Sequence, residues 1–409
     1  MASQQATLRQ EQSDSVLPVR QTFLPFHKPW IDKDEIDEVI DTLRSGWLTM
    51  GPKTLQFEQD FARYVGAKHA IAVNSCTAAL HLSLDALGVG PGDEVITSTF
   101  TFAATAAVIL HCGAKPVFVD CLPDTLNIDP RQVEDAITLR TKVVLPVHFA
   151  GHPCEMDKIV AIARRHRLKV VEDAAHALPA AYRGQRIGTI GDLTAFSFYA
   201  IKNITTGEGG MVTTDNAEYA ERIAQRRLHG INHDAWKRYT SQGSWHYDIT
   251  YPGYKYNTTD INASLGLHQL RKSDRFHQVR SRYAALYREG LGQVAEIILP
   301  AERPEAEHAW HLFPIRLNLE ALSIDRGRFI ELLHEEKIGT SVHFIPLHLH
   351  PYYRETFGYR PEDFPQALSA YERIISLPLY PMMTEEDVQD VIRAVTRIVT
   401  AHRRRTIYG

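Results

Sequence analysis

Hydrophobic and polar positions alternate in a regular rhythm from about residue 70 onward. Short runs of aliphatic and β-branched residues are followed by longer stretches whose apolar residues recur at helical spacing. This pattern predicts strands over 70–73, 94–98, 116–119, 143–147, 169–171, 195–199 and 210–214, and helices over 77–87, 156–166 and 216–229. The alternation indicates an α/β fold with a large, mostly parallel sheet flanked by helices. Sites in such sheets lie at the carboxyl ends of the strands.

The pattern changes on either side of this sheet. A helix is predicted over 33–45, where Asp32 and Glu35 form a capping box and Gly46 ends the apolar periodicity. A long helix over 260–291 precedes a second unit with a strand at 312–317, a helix at 326–336, a strand at 341–345 and a last helix capped by Thr384 and Asp387. We therefore expect a flexible N-terminal arm over 1–22, a large domain over 23–270, and a long helix with a smaller C-terminal α+β domain over 271–409.

The composition is that of an ordinary globular chain. With 409 residues, 44% of them hydrophobic and 23% charged, a mostly disordered or collagen-like chain is excluded. The net charge of −4 provides no overall field that would attract nucleic acid or an anionic membrane. The four cysteines form no CxxC pair, which indicates reduced thiols. Because the N-terminus also lacks the apolar core of a signal peptide, we expect a cytoplasmic protein.

One uncharged stretch raises the question of a membrane span. Residues 95–114 contain no Asp, Glu, Lys or Arg, and about 20 apolar residues suffice to cross a bilayer. Several threonines, a serine and His111 interrupt the stretch, however. A strand that leads into a helix of small residues accounts for it better, and we expect no membrane contact.

A lysine follows the strand predicted over 195–199. Lys202 stands beside the glycine-rich turn 207–210, where its amine could be partly desolvated. Desolvation favours the neutral amine, which is the nucleophile that forms a Schiff base. The alternative is a solvated lysine in a surface loop, which is the commoner environment for this residue.

Three further features stand at strand ends of the same sheet. Asp173 could pair with a protonated pyridine nitrogen, or it could cap a helix. Ser75, Cys76 and Thr77 open a helix whose free N–H groups could hold a phosphate, although ordinary capping by Ser75 would look the same. Phe102 could support a flat ring or lie in the core. An amine, a carboxylate, a helix start and an aromatic ring at one sheet edge together indicate a pyridoxal 5'-phosphate (PLP) enzyme.

Seven segments carry a resemblance to a known family. In chain order they are 46–53 (GWLTMGPK), 75–80 (SCTAAL), 115–120 (KPVFVD), 172–176 (EDAAH), 197–210 (SFYAIKNITTGEGG), 253–260 (GYKYNTTD) and 376–381 (SLPLYP). Through them the sequence resembles the DegT/DnrJ-type (StrS-like) nucleotide-sugar aminotransferases, which are fold-type I PLP-dependent transferases. Each segment alone is a weak match. All seven occur in the same order as in the family, along nearly the whole chain, so chance does not account for the resemblance.

The resemblance implies roles for the residues around the cofactor ring. Lys202 would bind PLP as a Schiff base and later move a proton between the substrate carbon and the cofactor. Asp173 would hold the pyridinium nitrogen, and His176 would lie near the phenolic oxygen of the ring. Phe102 would stack on the ring face.

The resemblance also implies the phosphate contacts and the assembly. Cys76 and Thr77, together with the Ser197 hydroxyl, would hold the phosphate. Asn257 would reach the phosphate of the neighbouring subunit's cofactor, so a homodimer with shared active sites is expected. His348 matches a histidine near the substrate.

Three positions bear on which chemistry and substrate to expect. Many family members have Gln where this chain has His176. The segment 253–257 reads GYKYN rather than the commoner GYNYR, which resembles members that aminate C4 of UDP-linked or TDP-linked keto-sugars. A related group of sugar dehydratases has histidine in place of the lysine, and Lys202 argues against their chemistry.

The expected reaction is a ping-pong amino transfer. L-glutamate would give its amino group to the cofactor, leaving pyridoxamine phosphate, and a 4-keto or 3-keto nucleotide sugar would then receive it. Two alternatives stay open: an aminotransferase for a cyclitol or another cyclic ketone, and a regulatory protein of the PLP fold without turnover. The sequence does not name the keto carbon, the nucleotide or the pathway.

Other candidate sites receive little support from the sequence. His343, His348 and His350, or His229 and His233, could bind a metal, but no Cys/His framework or HExxH motif accompanies them. The basic runs at 164–167 and 403–405 suit solvated helix surfaces in a chain of nearly balanced charge. We therefore expect neither a functional metal nor nucleic acid.

Overall fold

The computed structural model describes residues 18–231 and 247–404, and a seven-stranded sheet lies at its centre. Its strands, in chain order, are His69–Val73 (β1), Glu94–Ser98 (β2), Lys115–Val119 (β3), Thr141–Leu145 (β4), Lys169–Asp173 (β5), Leu193–Ser197 (β8) and Gly210–Thr214 (β9). They are arranged as β1-β9-β8-β5-β4-β2-β3. Strand β9 runs antiparallel to both its neighbours, and the other pairings are parallel. The mostly parallel sheet expected from the sequence is thus confirmed, and β9 starts at the edge where the other strands end.

Helices cover both faces of this sheet and continue into the C-terminal part. They are Lys33–Ser45 (α1), Pro52–Val65 (α2), Cys76–Ala86 (α3), Ala103–His111 (α4), Pro130–Asp135 (α5), Met156–His166 (α6), Ala217–Arg226 (α7), Asp260–Leu291 (α8), Arg326–Glu335 (α9), Pro351–Phe357 (α10), Pro365–Arg373 (α11) and Glu385–His402 (α12). The capping boxes predicted at Asp32 and Thr384 are both present. Each satisfies otherwise unpaired N–H groups of a first turn, which is why these two helix starts could be located from sequence.

The uncharged stretch 95–114 forms strand β2 and then helix α4, as the sequence favours. Within the described parts of the chain, no helix is both long and apolar enough to cross a membrane. Much of the stretch is buried, with Val95, Ile96, Val108 and Ile109 fully shielded from solvent.

The C-terminal part contains a small antiparallel sheet, β10-β12-β13, formed by Ile297–Ile298 (β10), Phe313–Leu317 (β12) and Ile374–Leu377 (β13). A third sheet joins Ala181–Tyr182 (β6), Gln185–Arg186 (β7) and Ala306–Glu307 (β11). The strand predicted over 341–345 is wrong: only Ser341 pairs, in a single bridge to Ser376 of β13. After that bridge the chain leaves the sheet edge and turns toward the large domain, and the sequence pattern did not predict β13 itself.

Helix α8 links the large sheet to the small C-terminal sheet. Its first half packs in the core of the large sheet through Leu267 and Leu270, and its second half packs in the small-domain core through Tyr283 and Tyr287. The predicted division after residue 270 therefore falls inside a continuous helix. Most of the arm expected over 1–22 lies outside the described residues, which begin at residue 18; Leu24 already pairs with Ile338 of the small domain.

Candidate active site

A cavity of about 430 Å³ opens at the sheet edge where β5 and β8 end. Its lining includes most of the residues that the sequence singled out: Cys76, Thr77, Phe102, Asp173, His176, Ser197 and Lys202. They come from distant parts of the chain and meet because parallel strands place their carboxyl ends at one edge. Thr101, Thr105, Tyr199, Glu208, His343 and Phe344 line the same cavity and were not predicted as site residues.

Lys202 lies in the turn that follows β8. The turn is closed by a hydrogen bond from the Lys202 N–H to the Tyr199 carbonyl (2.8 Å), so the side chain is carried on a fixed backbone. Burial lowers the pKa of the amine to about 8, while nearby Cys76 and Asp173 act in the opposite direction. The amine is therefore partly neutral near neutral pH, which suits a nucleophile for a carbonyl group.

Asp173 is the last residue of β5, and its carboxylate is held from two sides. The Thr105 hydroxyl donates to Oδ2 (2.8 Å), and the Ala175 N–H donates to Oδ1 (3.1 Å). Burial raises the pKa of this carboxyl, and the two hydrogen bonds oppose that shift. A cationic partner in the cavity would stabilise the carboxylate further, since opposite charges nearby favour the ionised form.

Helix α3 begins at the cavity wall with its first turn. The Ser75 hydroxyl caps the helix by accepting from the Ala78 N–H (3.1 Å), and the first-turn N–H groups of a helix have no helical partner. A Cβ added to Gly210 would lie 2.5 Å from the main-chain carbon and oxygen of Ser75. Strand β9 can therefore approach the helix start this closely only because residue 210 is glycine. Ser197 pairs with Gly210 across β8 and β9 and completes this corner.

Two rings lie at different depths of the cavity. Phe102 is the N-cap of α4 and remains 63% exposed at the mouth, where a flat ligand could stack on it. His176 is buried, and burial lowers its pKa well below the usual histidine value, so the ring is neutral. Its Nδ1 has no hydrogen-bond partner within the described chain.

The small domain supplies the opposite wall. His343 and Phe344 follow the Ser341 bridge and line the cavity. His343 Nδ1 lies 2.9 Å from the Ser376 hydroxyl, which orients the ring, and burial, with a further contribution from Lys202, lowers its pKa to about 4. We predicted a strand over 341–345, and such a strand would have kept these residues in the small sheet. For that reason the sequence did not identify this segment as part of the cavity wall.

His348, predicted to lie near the substrate, and Asn257, predicted to reach the neighbouring subunit's cofactor, do not line this cavity. His348 is fully buried; its Nδ1 lies 2.8 Å from the Thr99 hydroxyl and its Nε2 lies 3.2 Å from the Pro361 carbonyl. Asn257 forms an isolated bridge to Val73, and its side chain donates to the Thr258 carbonyl (2.9 Å). Its Oδ1 is buried and accepts no hydrogen bond from the described residues.

The other candidates from the sequence were possible metal ligands and two basic runs. In the described residues, no three or more His, Cys, Asp or Glu side chains are grouped so as to hold a metal ion. Of the histidines considered as ligands, His233 lies outside the described residues. The basic run 403–405 is described only as far as Arg404.

The groups that line the cavity fit PLP. The partly neutral amine of Lys202 suits its aldehyde, the buried carboxylate of Asp173 suits its pyridinium nitrogen, and the start of α3 suits its phosphate. When bound, PLP supplies an electron sink for carbanions next to nitrogen. An amine, a carboxylate and a phosphate cradle at the carboxyl edge of a mostly parallel sheet define a PLP-dependent enzyme.

Comparison with known proteins assigns the enzyme to a family. Residues 29–396 match the DegT/DnrJ/EryC1/StrS aminotransferase family, and the chain belongs to that family. An uncharacterised protein of Methanocaldococcus jannaschii is 59% identical over 94% of this chain and all of its own length. The spore coat polysaccharide biosynthesis protein SpsC of Bacillus subtilis is 54% identical over 93% of this chain and 98% of its own.

A solved structure extends the likeness to the fold and the cofactor. A Streptococcus pneumoniae protein described as a sugar aminotransferase, in its PMP form, is 38% identical over 92% of this chain and 99% of its own, with a TM-score of 0.87. The same protein has also been solved in a PLP form. The fold is accordingly fold-type I, and the protein is a PLP-dependent sugar aminotransferase.

Proposed function

We propose that this enzyme transfers the amino group of L-glutamate to a keto nucleotide sugar, UDP- or TDP-linked and aminated at C4 or C3. The observation that carries the proposal is the Lys202 amine, its pKa lowered to about 8, in one cavity with the buried carboxylate of Asp173. The likeness to SpsC, a polysaccharide biosynthesis protein, supports a sugar acceptor. The transfer takes place in two half-reactions: glutamate leaves as 2-oxoglutarate before the keto-sugar enters, and the ketone oxygen leaves as water.

Each residue that lines the cavity has its own role in this proposal. Lys202 would bind the aldehyde of PLP and carry the proton from and to the reacting carbon, for which its pKa of about 8 is well matched. Asp173 would hold the pyridinium nitrogen, His176 would lie near the phenolic oxygen, and Phe102 would stack on the ring. Cys76, Thr77 and Ser197 would hold the phosphate. Because His348 is bonded within the protein at both ring nitrogens, His343 replaces it as our candidate for the histidine that faces the substrate.

The working unit in this proposal is a homodimer with shared sites. The buried Oδ1 of Asn257 accepts no hydrogen bond from the residues that the structure describes, which supports a ligand or partner group at that position, since buried acceptors are rarely left without a donor. Exposed apolar side chains on α1 and the following loop, namely Ile36, Ile40, Leu43 and Leu48, support a covering surface there. The four cysteines are free thiols, which supports the reducing cytoplasm as the compartment.

The two half-reactions can be tested separately with the purified, PLP-loaded enzyme. L-glutamate should shift the absorbance of the bound cofactor and release one 2-oxoglutarate per site, and a keto nucleotide sugar should reverse the shift. A panel of UDP- and TDP-linked 3-keto and 4-keto sugars, with a cyclic ketone such as a keto-cyclitol, identifies the acceptor. Lys202→Ala should abolish both responses. If glutamate leaves the absorbance unchanged, the donor is wrong; if Lys202→Ala retains turnover, the role of Lys202 is wrong.

A further inference from the structure

His311 lies directly behind two residues of the active site. It belongs to the turn that leads into β12, and it is 96% buried although it does not line the cavity. Its Nδ1 lies 3.0 Å from Oδ1 of Asn203, which is the residue after Lys202. Its ring centroid lies 4.3 Å from that of His176.

The side chain of Asn203 determines which nitrogen of His311 carries the proton. The Asn203 amide donates to the carbonyls of Leu178 (2.6 Å) and Ala309 (2.9 Å), which uses both of its N–H groups. The Asn203 oxygen must therefore accept, and His311 Nδ1 must donate. Burial lowers the pKa of His311 well below its usual value, so the ring is neutral and carries its only proton on Nδ1.

The ring of His176 packs against two rings from the C-terminal part of the chain. His311 packs on it at an angle of 40°, and Phe344 stacks on it at 5.9 Å between centroids and an angle of 18°. His176 makes no hydrogen bond to the described residues through Nδ1, so ring packing is the contact that orients it on this side.

The turn that carries His311 is itself fixed by polar contacts. The N–H groups of His311 and Leu312 donate to the Ala150 carbonyl (3.0 and 3.2 Å). The fully buried Arg280 of α8 donates through Nη1 to the carbonyls of Trp310 (3.2 Å) and His311 (3.3 Å). Because this backbone is held in place, the His311 side chain has a fixed position and can orient the side chains that pack on it.

We infer that His311 is a positioning residue of this active site, which orients the His176 ring by packing and anchors the Lys202 turn through Asn203. The inference rests on the proposed roles of Lys202 and His176. It assigns His311 no contact with substrate or cofactor. Its effect is to keep the two groups that face the cofactor in one geometry, and the loss of that geometry weakens cofactor binding and turnover.

The test compares His311→Leu with His152→Leu in the full-length enzyme. His152 is a matched control because it is equally buried and its Nδ1 is bonded to the Pro153 carbonyl (2.8 Å). Like that of His311, its Nε2 has no hydrogen-bond partner in the described parts of the chain, and it does not line the cavity. The dissociation constant of PLP, measured by absorbance titration, should rise about tenfold for His311→Leu, as expected for the loss of a buried hydrogen bond and a ring contact, and less than about twofold for His152→Leu. His311→Phe, which keeps the ring but not the hydrogen bond, should recover part of the loss.

A double-mutant cycle separates positioning from general stability. In a His176→Gln background there is no ring for His311 to orient, so His311→Leu should cost clearly less PLP affinity than in the wild type. Equal losses in both backgrounds would overturn the role of His311 in orienting His176, and equal losses for His311→Leu and His152→Leu would overturn the inference as a whole. If His311→Leu does not fold, the same cycle is run with His311→Gln, which also removes the ring that packs on His176. Failure of the wild-type enzyme to bind PLP through Lys202 would instead refute the proposed function, so the two failures are distinguishable.

Discussion

Lys202 is made reactive by its surroundings and not by its residue type. Burial disfavours the ammonium form, and the nearby Asp173 carboxylate favours it, so the pKa of about 8 is the balance of two opposing effects. The lysine can therefore accept a proton during the reaction and return it near neutral pH.

The free amine of Lys202 should show this pKa directly. In cofactor-free enzyme, the rate of reductive methylation at Lys202, followed by peptide mass spectrometry, should rise with pH and reach half its plateau near pH 8, because only the neutral amine reacts. A solvated lysine would reach that point near its ordinary pKa of about 10.4. A midpoint near that ordinary value would show that the amine is not desolvated.

Site residues could be predicted from the sequence where PLP chemistry requires a particular residue type at a strand end. Lys202 was predicted as the amine, Asp173 as the carboxylate and Cys76 as part of the helix start that holds the phosphate. The choice between His343 and His348 could not be made in this way. The two histidines stand five residues apart in one loop, and only the packing of that loop against the large domain decides which of them reaches the cavity.

At the scale of elements, the contact between β9 and the start of α3 shapes the proposed phosphate site. The two backbones approach at Gly210, which leaves no room for a side chain. The sequence marked the turn 207–210 as glycine-rich, but it could not show which glycine has a backbone against it.

Gly210→Ala should therefore destabilise the fold by about 1–3 kcal/mol, since an added methyl group would have to push strand and helix apart. The midpoint of urea denaturation measures this effect, and PLP affinity should fall in parallel. Gly90→Ala is the matched control, because a Cβ at residue 90 meets no atom within 4 Å. Equal stability of the two variants would show that the contact is easily relaxed.

The elements themselves were predictable to different degrees. Helices α1 and α12 begin at capping boxes, which are local signals, and their starts were located correctly. Segment 341–345 has the apolar alternation of a strand, yet it pairs at one residue only. A short alternating segment is compatible with a strand or with an extended loop, and the decision depends on whether a partner edge runs alongside it.

At the scale of the whole molecule, the proposed homodimer predicts that one chain does not complete its own site. His343 and Phe344 close one wall of the cavity, while Asn257 does not line the cavity of its own chain. The sequence led to a homodimer only through family resemblance, because surface patterns do not specify a partner.

Mixing two inactive variants would show whether one active site combines Lys202 of one subunit with Asn257 of the other. Asn257→Ala and Lys202→Ala should each have little activity alone. After unfolding and refolding together, mixed dimers should regain activity, because one of their two sites then combines Lys202 of one subunit with Asn257 of the other. The Asn257→Ala/Lys202→Ala double variant mixed with Asn257→Ala is the control: Lys202 is then present but every site lacks Asn257, so this mixture should stay inactive. Failure of the mixture to recover would place Asn257 in its own chain's site or outside any site.

The cavity has two walls from different parts of the chain, and this arrangement affects how acceptor preference can change during evolution. The wall with Lys202 and Asp173 and the wall with His343 and Phe344 come from different domains and lie far apart along the chain. Substitutions at C-terminal positions that do not pack on His176 or bond to Asn203 can therefore alter the shape offered to an acceptor while the cofactor-facing wall keeps its geometry. At those positions, divergence in acceptor preference requires no change in the chemistry, so the two properties can be inherited and varied independently.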